Sequence, residues 1–187
     1  VSSIDYPIDG PLTAYEPITI TVFNYGSETQ VNIPVGYMVD GGTIVNEILP
    51  GPITSGNSEQ YTFSDPANMG VQGHKYEITA FTALVTDEFL DNDTTMKSVN
   101  HLFLNDIGVT EILSPQSGYD LTAEEDITVS IYNFGTASQS NFDVSYNLDG
   151  TIVTEQVSGP LSSSTSTNFT FNEKGNFSEI GNYLLKA

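Results

Sequence analysis

The stretch ITVSIYNFG (127–135) decides the fold, because it is nearly repeated at ITITVFNYG (18–26). Ile127, Val129 and Ile131 fall on one face of the first, and Ile18, Ile20 and Val22 on the same face of the second. Alternation of this kind predicts a half-buried β-strand, and the closing Asn-aromatic-Gly predicts a bend out of it. The echo extends outward at an offset near 109 residues. LTAYEPIT (12–19) lies over LTAEEDIT (121–128), VGYMVDGGTIVNE (35–47) over VSYNLDGTIVTE (144–155), GPITS (51–55) over GPLSS (159–163), and YTF (61–63) over FTF (169–171). Upstream, Val1, Ile4, Pro7 and Gly10 recur as Val109, Ile112, Pro115 and Gly118. A register held this far is a tandem duplication.

A period of this length suits an independent domain rather than a solenoid unit. The expected units are residues 1–104 and 105–187. YLLKA (183–187) aligns with YEITA (76–80), so the second unit has no counterpart of residues 81–104 and is expected to lack its last strand in this chain. The first unit in turn lacks residues equivalent to NDI (105–107). Asp40-Gly41 and Asp149-Gly150 stand between β-rich runs, a short-range hairpin signal. EQYTFS (59–64), KYEITAFTALV (75–85) and TTMKSVNHLFL (94–104) read as further strands, and only ANMG (67–70) suggests a helical turn. Six or seven short strands per unit, parted by Gly, Pro, Asn and Ser, predict an all-β chain of two tandem immunoglobulin-like β-sandwiches.

Composition excludes whole classes of function. Four Lys and Arg stand against 24 Asp and Glu, for a net charge of −20. Such a surface repels polyphosphate, so nucleic acid is excluded as a partner. No apolar run is long enough to span a bilayer, which excludes direct helical insertion into a membrane. Cysteine is absent, which rules out a disulfide framework but not export, since a domain of about 100 residues buries enough core without staples. Scarce lysine with abundant Thr, Ser, Asn and Tyr leans towards an extracellular or cell-surface setting.

Catalytic material is thin. There is no cysteine, and the only histidines, His74 and His101, have no equivalents in the second unit. Two isolated histidines make neither a triad nor a zinc site, and no phosphate-binding glycine loop is present. The expectation is that the chain is not an enzyme and requires no cofactor. Calcium is the one ion that the composition favours, because hard oxygen ligands suit it. Its candidate ligands are Asp87, Asp91 and Asp93 in DEFLDNDTT (87–95), with Asp106 beyond the junction. The bland reading of the same residues is a solvated turn, with Asn92 and Asp93 capping a hairpin. Tyr25, Tyr37, Phe134, Tyr146, Phe169 and Phe171 recur between the repeats and read as core or cross-strand packing rather than a sugar platform.

The pattern V-x-x-I-x-x-P-x-x-G, then LTA-x-E-x-IT, Asn-aromatic-Gly and a Y-x-x-DG hairpin resembles the CARDB-type (cell-adhesion-related) immunoglobulin-like repeats of Bacteroidota secreted and surface proteins. Its marks here are Ile4 and Ile112, Asn24 and Asn133, Gly26 and Gly135, Asp40-Gly41 and Asp149-Gly150, with Asn92-Asp93-Thr94 in the first unit alone. The resemblance implies a sandwich used in tandem as a stalk or accessory module, and it supplies no catalytic residues. The expected function is a non-catalytic extracellular spacer or adhesion module within a larger surface or secreted protein. Its expected partners are neighbouring repeats of the same polypeptide and cell-surface glycans or proteins. One alternative is a carbohydrate- or calcium-dependent accessory module of a secreted hydrolase, and another is a subunit that assembles by strand complementation.

Overall fold

The computed structural model describes residues 1–187, and the chain divides between Leu102 and Phe103. The first unit contains β1 (Ser3–Tyr6), β2 (Thr19–Phe23), β3 (Ile33–Val39), β4 (Val45–Leu49), β5 (Ser58–Thr62), β6 (Lys75–Thr82) and β7 (Thr94–Asn100). The second contains β8 (Ile107–Ser114), β9 (Thr128–Asn133), β10 (Phe142–Leu148), β11 (Thr151–Val157), β12 (Ser166–Thr170) and β13 (Leu185–Lys186). Hydrogen bonds order β1-β2-β5 and β4-β3-β6-β7 into the two sheets of the first unit. In the second unit, β8-β9-β12 and β11-β10-β13 follow the same scheme without an equivalent of β7. Two antiparallel sheets closed on one core make each unit an immunoglobulin-like sandwich.

The alternation of β2 explains the core. Ile18, Ile20 and Val22 are buried against Val35 and Tyr37 of β3, Ile78 and Ala80 of β6 and Val99 of β7. Ile127, Val129 and Ile131 meet Val144, Tyr146 and Phe171 in the same way. Each such aliphatic side chain contributes about 1.5–3 kcal/mol on burial. The positions flanking β7 differ between the units. Ile4, Leu12, Tyr76 and Ile78 are buried in the first, whereas Ile112, Leu121, Tyr183 and Leu185 are only half-buried in the second.

Turns are built alike in both units. Cis peptide bonds precede Pro7, Pro52, Pro115 and Pro160. Asp40 and Gly41 both have positive φ, 51° and 66°, as the tight hairpin between β3 and β4 requires. After Pro7 the chain leaves the sheet of β1 and pairs in parallel with the end of β7 through Gly10 and His101. Asp9 secures that switch by accepting the Asn100 amide at 2.8 Å and its side-chain amide at 2.9 Å. These two bonds hold the Asp9 carboxyl below its ordinary pKa.

Several local expectations change. The divide falls two residues before the junction read from the repeat, because the carbonyls of Phe103 and Leu104 accept the amides of Thr136 and Ala137 in the second unit. ANMG (67–70) forms no helical turn: Ala67 bridges Glu16 and the Met69 amide bonds Thr13, so tertiary pairing wins over a weak local tendency. Tyr25 and Phe134 lie outside the strands and are exposed, each instead resting on the neighbouring Phe23 or Tyr132 ring.

One carboxylate in each unit ties sheet to sheet. Glu47 on β4 accepts the Tyr61 hydroxyl at 2.6 Å, the Ser64 hydroxyl at 2.7 Å and the Ser64 and Asp65 amides. Glu155 on β11 accepts the Asn172 and Glu173 amides at the same place. Burial is the largest single influence on Glu47 and pushes its pKa up, but these hydrogen bonds together outweigh it and leave the carboxyl below its usual range. Burial, then the bond to Glu47, pushes the Tyr61 hydroxyl up to about 12. A carboxyl whose folded pKa is depressed stabilises fully above its unfolded value and loses that contribution as pH falls through the folded value. Glu47→Gln is therefore expected to lower the first unit's stability at pH 7 by about 1 kcal/mol and to flatten its decline below the ordinary glutamate pKa. Urea titrations between neutral and acidic pH measure both effects, and parallel pH curves for the two proteins would contradict the assignment.

Candidate functional site

A well-defined concavity lies in the first unit. A cleft of about 980 Å³ opens between residues 22–30, which end β2 and lead towards β3, and residues 82–93, which lead from β6 to β7. Its base is Val22, Ile33 and Ile53, and its rim carries Tyr25 and Phe89, which are 69% and 60% exposed. The carboxylate side chains along it are Glu28, Asp87, Glu88 and Asp93, with no Lys, Arg or His side chain among the lining residues.

Local chemistry explains how the loop after β2 is held. Asn24 is buried and uses its whole amide: Nδ2 donates to the Glu28 and Ile53 carbonyls at 2.7 and 2.9 Å, and Oδ1 accepts the Gly26 amide at 3.0 Å. Asn133 repeats every bond, to the Ala137 and Leu161 carbonyls and from the Gly135 amide. The recurrent Asn-aromatic-Gly is thus a fully satisfied buried amide that pins a strand exit to a distant turn.

The acidic residues are placed as follows. Asp87 is half-buried, and its Oδ1 accepts the Phe89 amide at 2.9 Å. Asp91 is exposed on a short 3-10 turn, Leu90–Asn92. Asp93 is half-buried, with Oδ1 accepting the Thr82 hydroxyl at 2.8 Å. Asp106 belongs to the second unit, where its backbone carbonyl accepts the amides of Phe134 and Gly135. Asp87 and Asp93 share the cleft lining, and Asp91 and Asp106 do not. No three His, Asp or Glu side chains come together in a way that could hold a metal ion.

Both histidines and four further carboxylates hold turns. His74 Nε2 lies 2.9 Å from Asp40 Oδ2, and buried His101 places Nδ1 2.9 Å from the Met69 carbonyl. Asp40 also accepts the Glu77 amide, as Asp149 accepts that of Leu184, so each hairpin aspartate is tied to a neighbouring strand or its entry. Glu16 and Glu125 close the LTA-x-E loops on the amides of Thr13 and Thr122. The roles of Glu16, Glu47 and their partners in the second unit were signalled by recurrence in the duplication, since each repeats at the same register.

The fold defines a tandem immunoglobulin-like β-sandwich module whose recurrent polar side chains are spent on turns and sheet-to-sheet ties. Residues 104–187 match the CARDB family, so the second unit is a CARDB domain, of a non-catalytic, adhesion-related family. No curated protein matches the chain. A solved structure with some similarity is the CsuC-CsuE chaperone–tip adhesion subunit pre-assembly complex from archaic chaperone-usher Csu pili of Acinetobacter baumannii. It is 13% identical over 96% of this chain and 95% of that one, with a TM-score of 0.27. No helix is long and apolar enough to cross a membrane.

Proposed function

We propose that the chain is a non-catalytic spacer and adhesion module within a larger cell-surface or secreted bacterial protein. The observation that carries this reading is the CARDB match of the second unit, on a sandwich whose turn-holding side chains recur at the same register in the first. Its partners are neighbouring repeats of the same polypeptide, with surface glycans or proteins as the targets of the assembled array. The net charge of −20 supports such a role, because it keeps a long array soluble and unassociated. Antibodies to this chain, applied to intact and to lysed cells of the source, test the location. The native polypeptide they capture should have a mass well above 20.2 kDa. Labelling that appears only after lysis, on a polypeptide of this mass, would overturn the reading.

A further inference from the structure

The outer face of the sheet β4-β3-β6-β7 is apolar. Alternation turns Pro34 and Met38 of β3, Ile48 of β4, Phe81 of β6 and Met96 of β7 away from the core. Cross-strand pairing makes them one patch: Pro34 opposes Ile48, Gly36 opposes Phe81, Met38 opposes Thr79, and Thr79 opposes Met96. Ile48 and Met96 are 50% and 64% exposed, and Ile44 at the entry to β4 is exposed as well. Gly36 serves space and not conformational freedom: its φ is not in the left-handed region, and a Cβ there would run into the Phe81 ring. The ring can therefore lie across β3, and the patch stays flat.

The second unit builds the same sandwich with a different outer face. At the register of Pro34, Gly36, Met38 and Ile48 it carries Asp143, Ser145, Asn147 and Gln156, and the Ser145 and Thr154 hydroxyls bond each other at 2.8 Å. The inward residues keep their character, so the core does not impose the difference. Nor does the chain ahead of a first strand run over this face: residues 103–106 bond residues 134–137, at the end of β9 in the other sheet. Charge marks the patch out further. The chain carries −20, yet no charged side chain faces outward in the rows from Ile48 to Met96, and charge returns at Glu77 and Lys75 towards the start of β6. Each of the other three sheets has a carboxylate on its outer face: Asp5 beside Thr21, Glu111 opposite Ser130, and Asp143 opposite Gln156.

We propose that this face packs, sheet on sheet, against the same face of a second copy of the chain. The charge that holds copies apart over the rest of the surface restricts their contact to this uncharged window, where they meet without like-charge repulsion. A flat apolar patch is complementary to itself under a two-fold axis, as an isologous pair requires. With the axis along the strands, β4 of one copy lies over β7 of the other, which sets Ile44 of one near Met96 of the other. Strand spacing and rise give the patch a footprint of roughly 300 Å² per copy, against about 800 Å² per partner in a standard interface. The pair is therefore weak, with a dissociation constant of roughly 0.1–1 mM, and many repeats acting together would supply avidity. The inference rests on the adhesion reading and gives it a partner, another copy of the same chain.

The test follows NMR signals and sedimentation equilibrium of the full chain as its concentration rises through that range. Signals of Ile48, Phe81 and Met96 should shift with concentration while those of Ser145 and Thr154 stay fixed. Added salt should tighten the pair at least about threefold by screening the acidic surfaces from each other. Met96→Glu, at an exposed position, should keep the fold and weaken the pair at least about tenfold. Mixing it with Ile44→Lys should restore pairing, because the two-fold brings these positions together. A chain that stays monomeric, shifts that map to another surface, pairing that survives Met96→Glu, or a mixture that fails to pair would overturn the proposal. So would a glycan mixture that moves the same signals in a chain that does not self-associate, which would make the face a ligand platform. None of these readouts depends on location or native mass, so failure here is distinct from failure of the adhesion reading.

Discussion

Asn133→Ala is expected to cost the second unit about 3 kcal/mol and to leave the first unit's transition in place. The amide is fully buried, and three bonds meet on it: donations to the Ala137 and Leu161 carbonyls at 2.8 and 3.0 Å, and acceptance of the Gly135 amide at 3.0 Å. Alanine removes both donors and the acceptor at once and opens a void in a fully buried site. The Leu161 carbonyl keeps the Gln139 amide at 3.0 Å, so the loss comes from three bonds that water does not replace rather than from an orphaned carbonyl. Asn133→Asp should do no better, because it turns an acceptor oxygen towards two carbonyls. Asn24→Ala should cost the first unit less, since Asn24 is 8% exposed and water can reach part of the gap. Urea unfolding followed through resolved amide signals of each unit reads the effects separately. Equal shifts in both units after Asn133→Ala would show that the turn is not what the amide stabilises.

Phe171→Ala is expected to cost about 4 kcal/mol, the usual scale for a buried phenylalanine, and to unfold most of the second unit near physiological temperature. Phe171 is 1% exposed and sits edge-on to Tyr146 and Phe169, with ring centroids 4.8 and 5.2 Å apart. Truncation removes both aromatic contacts and leaves a cavity between the sheets that β-sheet backbones cannot collapse to fill. A domain of this size holds roughly 5–10 kcal/mol in all. Differential scanning calorimetry should show one transition lost and the other retained. Loss of both would mean that the units do not fold independently.

Strand existence was legible because two signals reinforced each other: alternation at Ile18, Ile20 and Val22, and its recurrence at Ile127, Val129 and Ile131. The turn devices were visible as recurring letters without their mechanism. Nothing local says that Glu47 will reach Ser64, 17 positions away, or that Asn24 will bond the Ile53 carbonyl. The aromatics show the limit most clearly. Tyr37 and Tyr25 look alike in a repeat alignment, yet Tyr37 is buried with its hydroxyl on the Asp65 carbonyl and Tyr25 is on the rim of the cleft. The acids of DEFLDNDTT are dense in sequence, but what Asp87 and Asp93 do is visible only in the fold, where each accepts a bond that shapes its own loop, from the Phe89 amide and the Thr82 hydroxyl.

By itself, the sequence determined the all-β class, the duplication and the positions that must bend, since periodicity, repetition and turn chemistry are local or self-referential properties. Which polar side chain closes which turn, and which glycine is there for space, were decided only by the tertiary structure. Those depend on distances between residues that only the packing of the two sheets brings together.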